Sequence, residues 1–432
     1  MYPQRPRQED GRRGGRKEED TLNNNLVLLL IVVVASGILA ALGIWEKRKN
    51  EKCLKQLKIR VNVNGIRGKS TATRMITAIL KEAGYQVIGK TTGTAARMIY
   101  WDSSEETEIK RRPRGVSISE QIRVIRQATK YGADALVCEC MAVRPEYQKV
   151  YQHDIIKANV TVIVNVREDH LDEMGPTLEQ LAWAFGETIP YNGIAVIPRG
   201  EFEDYFKEIA RKRSTKAVVV DETQMPTRLL QAYDYKVFPN NCAVAIYTAM
   251  ALNIPMDQIV AGVLKAQPDP GALRIMPIRG KRLETWFVNA FAANEPDSTL
   301  EIWDSLMLER IPMDNPIVVM NCRPDRVDRT AQFAFDCLPY MGPITLVVIG
   351  EKAHPIRKAY KRGKLANVRA YYNLENASLE KIMETLRPML NRRTVVGIGN
   401  IHGIGGPFIE GMLSLGEVGC YHDYAVAADE TT

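Results

Sequence analysis

Between Val63 and Thr71 the chain reads VNGIRGKST, a set of residue types suited to cradling phosphate. Gly65 and Gly68 let backbone N–H groups curl around phosphate oxygens, Lys69 supplies a point charge, and the Ser70 hydroxyl can ligate magnesium where a helix begins. A long Walker loop would need glycine at position 63, where Val63 stands, so this is the shorter GxxGKS form. Two later segments carry the other groups that magnesium–ATP chemistry uses. Glu139 interrupts the apolar run DALVCECMAV (134–143), and Asp169, His170 and Asp172 follow the apolar part of NVTVIVNVREDHLDEMG (159–175). In an open parallel sheet ligands gather at the carboxyl ends of strands, so Ser70, Glu139 and His170 are expected to converge on one face.

The elements that must position these groups are legible in the flanking pattern. IRVNVNGIRGKSTATRMITAILKEAGYQVIGK reads as strand, glycine loop, amphipathic helix, a stop at Gly84 and a second strand. Apolar strand-like runs alternate with helical patterns up to about residue 268, which predicts a mainly parallel sheet with covering helices. A Pro-rich joint, QPDPGALRIMP, then leads to a second α/β series with strands near 284–289, 316–321, 344–349 and 394–399. In GIGNIHGIGG (397–406) a dinucleotide fingerprint fails by one residue, because His402 stands where the third glycine is due. That segment is expected to be a strand-to-helix turn, with His402 as a candidate substrate contact.

From Leu26 to Trp45 the chain carries 20 residues without a charge, long enough as a helix to cross a hydrocarbon core of about 30 Å. Glu46, Lys47 and Arg48 follow where a signal peptide would place small residues for cleavage, so a single-pass anchor in the cell membrane is expected. Basic residues flank the run on both sides, and the orientation follows instead from the nucleotide loop, which needs cytoplasmic ATP. Total charge does not imply a polyanion-binding surface on the body. Of the formal +7, residues 1–60 hold +6 (13 Lys/Arg against 7 Asp/Glu), leaving +1 for the other 372 residues, and no nucleic-acid partner is expected. The seven cysteines, at 53, 138, 140, 242, 322, 337 and 420, are scattered and several lie in apolar runs, which indicates a reducing compartment without a disulfide framework. The charged insert Glu105–Arg114 reads as a surface loop whose Lys110, Arg111, Arg112 and Arg114 could guide an acidic polymer.

Several strings together resemble the Mur-type amide ligases, the family of the cell-wall amino-acid ligases and folylpolyglutamate synthase. They are the loop Gly65–Thr71, Glu139, NVREDHLD (165–172), Asn241 opening the Ala-rich helix NCAVAIYTAMAL, and PDPGALR (268–274). WDSSEETEIKRRPRG, CECMAVRPEY, FAANEPDST, NCRPDRVDRTAQF and GIGNIHG further resemble the catalytic subunits of poly-γ-glutamate synthases, across nearly all of the chain after the apolar run. The resemblance implies a membrane-anchored α/β protein with a central P-loop Mur-ligase-type domain and a C-terminal Rossmann-like domain. It implies an ATP- and Mg2+-dependent ligase that phosphorylates a glutamate γ-carboxylate and passes the acyl group to a glutamate amine, extending a poly-γ-glutamate chain beside other membrane subunits of a synthase. The nucleotide set it implies is Asn64, Gly65, Arg67, Gly68, Lys69, Ser70, Thr71 and Asn241, with one magnesium on Ser70 and Glu139 and a second on His170. Arg323 and Arg326, in the loop after NPIVVM, would bring positive charge over the γ-phosphate when the last domain closes. Two family features are absent: no lysine occurs between Lys157 and Lys207, and NAFAANEPDS (289–298) replaces the family's DYAH string. The expected division is a tail (1–25), a transmembrane helix (26–45), an ATP-binding domain (46–268) and a C-terminal closure domain (269–432). The alternative readings are a P-loop ATPase that powers polymer export and a different Mur-type amino-acid ligase.

Overall fold

A computed structural model describes residues 11–92, 96–109, 119–167, 177–226, 229–230, 233, 235, 237–269, 272–281, 283–293, 295–308 and 311–419, with side chains from residue 28 onward. Asp169, His170 and Asp172, the four basic residues between 110 and 114, and the Pro270–Gly271 part of the joint lie outside these residues.

The chain opens with a helix, α1 (Gly11–Leu54), within which Leu28–Leu54 is long and apolar enough to cross a bilayer and buries none of its apolar window in the rest of the protein. The helix does not end with the apolar run at Trp45. It continues to Leu54, where Asn50 and Leu54 are buried against the folded body and the Asn50 amide donates to the Ile155 carbonyl at 2.8 Å. Arg60 caps this end, its guanidinium donating to the carbonyls of Leu54 and Leu57.

Eight strands form the first sheet: β1 (Ile59–Asn64), β2 (Val87–Lys90), β3 (Arg97–Tyr100), β4 (Thr107–Glu108), β5 (Ala135–Glu139), β6 (Val160–Ile163), β7 (Ile194–Pro198) and β8 (Lys216–Val220). Their order is β4-β3-β2-β5-β1-β6-β7-β8, parallel except for the antiparallel β3 and β4 at one edge. β1 is central, so both its faces are covered. Its apolar Val61 and Val63 join the core under α2 (Lys69–Glu82), while the amides of Asn62 and Asn64 on the other face meet Gln152 and Gln148 at 3.0 and 2.8 Å. A strand period of two thus faces a helical period of four, and this match admits two asparagines into a central strand. α2 buries Ala72, Met75, Ile76, Ile79 and Leu80 as one stripe.

The second sheet contains β9 (Arg274–Gly280), β10 (Leu283–Asn289), β11 (Ile317–Cys322), β12 (Ile344–Gly350), β13 (Val368–Asn373), β14 (Arg393–Ile398) and β15 (Glu417–Val418), in the order β13-β12-β11-β14-β10-β9-β15. β10 to β14 run parallel, and β9 is antiparallel to both neighbours. Separate apolar clusters cover its two faces. The sequence reading placed the Pro-rich joint through Pro277, whereas β9 begins at Arg274. Pro277 is tolerated because β15 is only two residues long and pairs with Ile278 and Arg279, so no ladder bond is demanded of the proline nitrogen on that side.

Cys138 and Cys140 face the same core cluster. Burial pushes the Cys140 thiol up to about 12 and raises that of Cys138, while burial likewise takes Cys322 to about 12. All three therefore stay protonated at neutral pH and behave as small hydrophobes. Native protein treated with iodoacetamide at mildly alkaline pH should leave Cys138, Cys140 and Cys322 unmodified by peptide mass mapping, and unfolding should expose them. Modification of Cys140 in the native state at the unfolded rate would contradict this packing.

Candidate nucleotide-binding site

The phosphate loop joins β1 to α2, and its shape is imposed from outside. Asn165, two residues beyond β6, accepts hydrogen bonds from the amides of Ile66 and Arg67 at 3.2 and 3.1 Å on its Oδ1 and donates from Nδ2 to the Arg67 carbonyl at 2.9 Å. Within the loop the Asn64 side chain accepts from the Gly65 amide, and Lys69 Nζ donates to the carbonyls of Gly65 and Ile66, each at 2.8 Å. Gly65 and Gly68 adopt φ of 124° and 80°, in the left-handed region. A Cβ on Gly68 would also stand 2.0 Å from Asn241 Oδ1. Asn241 lies in the first turn of the helix Pro239–Ala251, beside Asn240, whose amide donates to the Val164 carbonyl at 3.1 Å. Gly68 caps α2 without a side-chain hydrogen bond, so the first N–H groups of that helix are left to a ligand.

Register brings the acidic partner to this loop. β5 lies beside β1 with Val63 opposite Glu139. Because side chains alternate, Glu139 shares the face of Ala135 and Val137, which belong to the core under α2, whereas Cys138 and Cys140 point the other way. Ser70 Oγ donates to Glu139 Oε2 at 2.8 Å, and the Thr92 amide donates to the same oxygen at 2.7 Å. Two hard oxygen donors at this separation suit a small divalent ion, since cis ligands at ~2.1 Å in an octahedron lie about 3.0 Å apart. Among the described residues no group of three His, Cys, Asp or Glu side chains comes together, and His170 lies outside them.

Loop and carboxylate open into a cavity of about 750 Å3 that reaches from Lys69, Thr71 and Asn241 to Ala290, Ser298 and Glu301 beyond β10. Ion pairs span it: Arg67 reaches Glu295 at 3.6 Å and Glu301 at 3.9 Å, and Arg167 reaches Glu301 at 2.6 Å, while on the far wall Arg329 approaches Glu295 at 3.9 Å. The buried Arg74 of α2 pairs with Glu106 and stands 3.7 Å from Asp269 in the Pro-rich joint. Asn64, Gly65, Arg67, Gly68, Lys69, Ser70, Thr71, Glu139 and Asn241 are thus gathered at one place. Arg323 and Arg326 are not. Arg323 makes a bidentate pair with Asp325 at 2.8 and 2.7 Å and lines a separate crevice of about 480 Å3 with Asn321, Gly350 and His402, and Arg326 borders an adjoining cleft with Arg329. The hydrogen bonds from Arg323 hold the Asp325 carboxyl below its usual range. Sequence reasoning passed over Asn165, Arg74 and Glu301. Asn165 heads the string NVREDHLD and was visible there, but its partners are backbone groups that no residue pattern displays.

Asn165→Leu keeps the side-chain volume and removes three hydrogen bonds from the loop. It should weaken binding of an ATP analogue by at least about tenfold, on the order of 1.4 kcal/mol, in titration calorimetry while the circular dichroism is unchanged. Parent-like affinity would show that the loop holds its shape without this amide.

The chain matches family models over two stretches, the Mur ligase middle domain at residues 63–259 and the poly-γ-glutamate synthase CapB C-terminal domain at 275–414. It is 49% identical over 376 residues to PGA synthase CapB of Bacillus subtilis, covering 87% of this chain and 95% of that one. It is 50% identical over 372 residues to the capsule biosynthesis protein CapB of Bacillus anthracis, covering 86% and 80%. Solved structures share the fold: E. coli FolC in complex with DHPP and ADP superposes with a TM-score of 0.58 at 14% identity, over 85% of this chain and 92% of that one. Folylpolyglutamate synthase from Thermotoga maritima does so with a TM-score of 0.55 at 15% identity, over 87% and 95%. With half of the residues identical across nearly all of the Bacillus subtilis protein, a Mur ligase middle domain around the phosphate loop and a CapB-type second sheet, this chain belongs to the CapB family of Mur-type ligases.

Proposed function

We propose that this chain is an ATP-dependent amide ligase that builds poly-γ-glutamate, and that the phosphate loop with Ser70 and Glu139 is where it activates the carboxylate. The observation that carries this reading is the 2.8 Å approach of Ser70 to Glu139 beside a loop locked open for phosphate, at the floor of a cavity walled by the second sheet.

The γ-phosphoryl of ATP moves to the γ-carboxylate of glutamate: the bond to the ADP oxygen breaks and a bond to the carboxylate oxygen forms. The incoming amine then attacks the acyl carbon, the C–N bond forms, phosphate leaves, and the nitrogen releases a proton. In this chain the loop amides and the α2 N-terminus hold phosphate oxygens, and Lys69 places its charge beside them. Ser70 and Glu139 would hold one magnesium and His170 a second, and these ions would supply neutralisation of the transferring charge. The acyl phosphate survives only where water is kept away, which gives the second sheet its role as a wall over the loop. In this reading residues 46–268 bind ATP and 269–432 close over it, turning at the Pro268–Gly271 joint. Arg323 and Arg326 deliver positive charge on closure, after Arg323 gives up Asp325. α1 anchors the chain in the cell membrane by its 26–45 stretch, with the catalytic part in the cytoplasm beside other membrane subunits of the synthase.

Lys69→Ala should abolish ATP turnover without loss of fold, because its ammonium bonds only to loop carbonyls and packs no core. Glu139→Gln should raise the magnesium concentration needed for half-maximal turnover, since an amide is a weaker ligand for a hard cation. The decisive measurement is γ-linked amide formed per ADP released, with glutamate and an acceptor chain supplied. A ratio near one is expected. Steady ADP release without glutamate dependence or amide product would replace the ligase with an export motor.

A further inference from the structure

The membrane-proximal end of this molecule is a weld and not a tether. α1 passes from its apolar stretch into the body without a break, and its last turns are fixed by Asn50, Leu54 and the Arg60 cap. At ~1.5 Å per residue, Asn50 lies about 7–8 Å beyond Trp45 along the helix axis. The headgroup layer outside the hydrocarbon is itself about 5–7 Å deep on each side. Lys47 and Arg48 are therefore at headgroup height, and Lys52, about 10 Å beyond Trp45, stands within about one Debye length of that layer.

Its charges are sorted. The two acids of this segment are turned to the body, Glu46 to Arg126 of α3 (Ser119–Tyr131) at 3.0 Å and Glu51 to Lys157 at 3.1 Å. Lys47, Arg48 and Lys52 are exposed and make no ion pair among the described residues. Arg126 fixes α3 against Glu46, the residue next to Trp45, and its neighbours on the helix surface at i−3 and i+4 are Arg123 and Lys130, both exposed. At the end of α3 the Tyr131 hydroxyl donates to Asp102 at 3.1 Å, and Asp134 stands 3.8 Å from Lys58.

We propose that Lys47, Arg48 and Lys52 of α1 with Arg123 and Lys130 of α3 form a contact surface for anionic lipid headgroups, so that the catalytic body rests on the bilayer. This rests on the reading of α1 as a membrane span. Anionic leaflets attract basic segments held within a Debye length of the surface, and α1 holds these there. An acidic polymer would also suit the charge, but the position is set by the helix.

The test uses the full chain in nanodiscs of phosphatidylcholine, in discs doped with phosphatidylglycerol, and in neutral detergent, with lysines acylated by a water-soluble ester and read by peptide mass mapping. In anionic discs Lys52 and Lys130 should react about threefold or more slowly than in neutral discs, while Lys361 and Lys364, exposed on the second sheet's side, are unchanged. High salt should erase the difference, and Arg123→Glu should reduce it at Lys130. Equal reactivity of Lys130 in all three settings overturns the proposal. So does protection by added poly-γ-glutamate in detergent without protection by phosphatidylglycerol, which would make the polymer the occupant. If the chain stays soluble without detergent and never enters discs, the span reading fails and the lipid surface with it.

Discussion

The Asn165 side chain, bonded to two amides and one carbonyl of the phosphate loop, is the contact on which the nucleotide site depends. A loop with two residues in the left-handed region and few side chains to pack does not hold one shape by itself. Here the shape is borrowed from the sheet. β6 delivers Asn165 to one side of the loop, β5 delivers Glu139 to the other by register, and the helix Pro239–Ala251 closes the third side with Asn241 against Gly68. Two of the three constraints come from neighbours of the central strand, so the order β5-β1-β6 is a structural condition for the site.

This explains what the sequence disclosed. Glycine spacing, Lys69 and the strand-to-helix context are local, and they were readable because the loop carries its own chemistry. The face on which Glu139 projects was also available, since strand alternation separates it from Cys138 and Cys140. The role of Asn165 was hidden because a side-chain amide that serves backbone groups leaves no pattern. Arg74 was hidden because it sits on an amphipathic helix where a basic residue reads as solvated, yet it is buried against Glu106 and near Asp269. The passage of α1 beyond Trp45 escaped notice for a related reason. Its charges resemble the end of a span, while the docking depends on Ile155, Lys157 and Arg60, far off in sequence or unremarkable in type.

The two sheets are stabilised differently from the contact between them. Each has apolar clusters on its faces, and Phe287, Phe291 and Phe408 pack edge-on within the second. Across the cavity the link is ionic: Arg67 and Arg167 face Glu295 and Glu301 with side chains roughly a fifth to a half exposed. Pairs of this kind contribute about 0–1 kcal/mol each and weaken further in salt. An arrangement of strong cores and a weak joint can open and close without approaching global unfolding.

A weak joint has a chemical consequence at this place. Arg67 belongs to the phosphate loop, and in the structure its guanidinium faces carboxylates of the opposite wall. A polyphosphate entering the loop brings negative charge to the same side chain, and it competes with Glu295 and Glu301 for a cation that can serve both only in part. Coulomb energy between partly exposed groups is small, so neither competitor traps the arginine. In the proposed ligase, nucleotide binding and the separation of the two walls would thereby be coupled through Arg67. Such a coupling would work in both directions, because a wall held away from Arg67 would favour phosphate by the same free energy with which phosphate would loosen the wall.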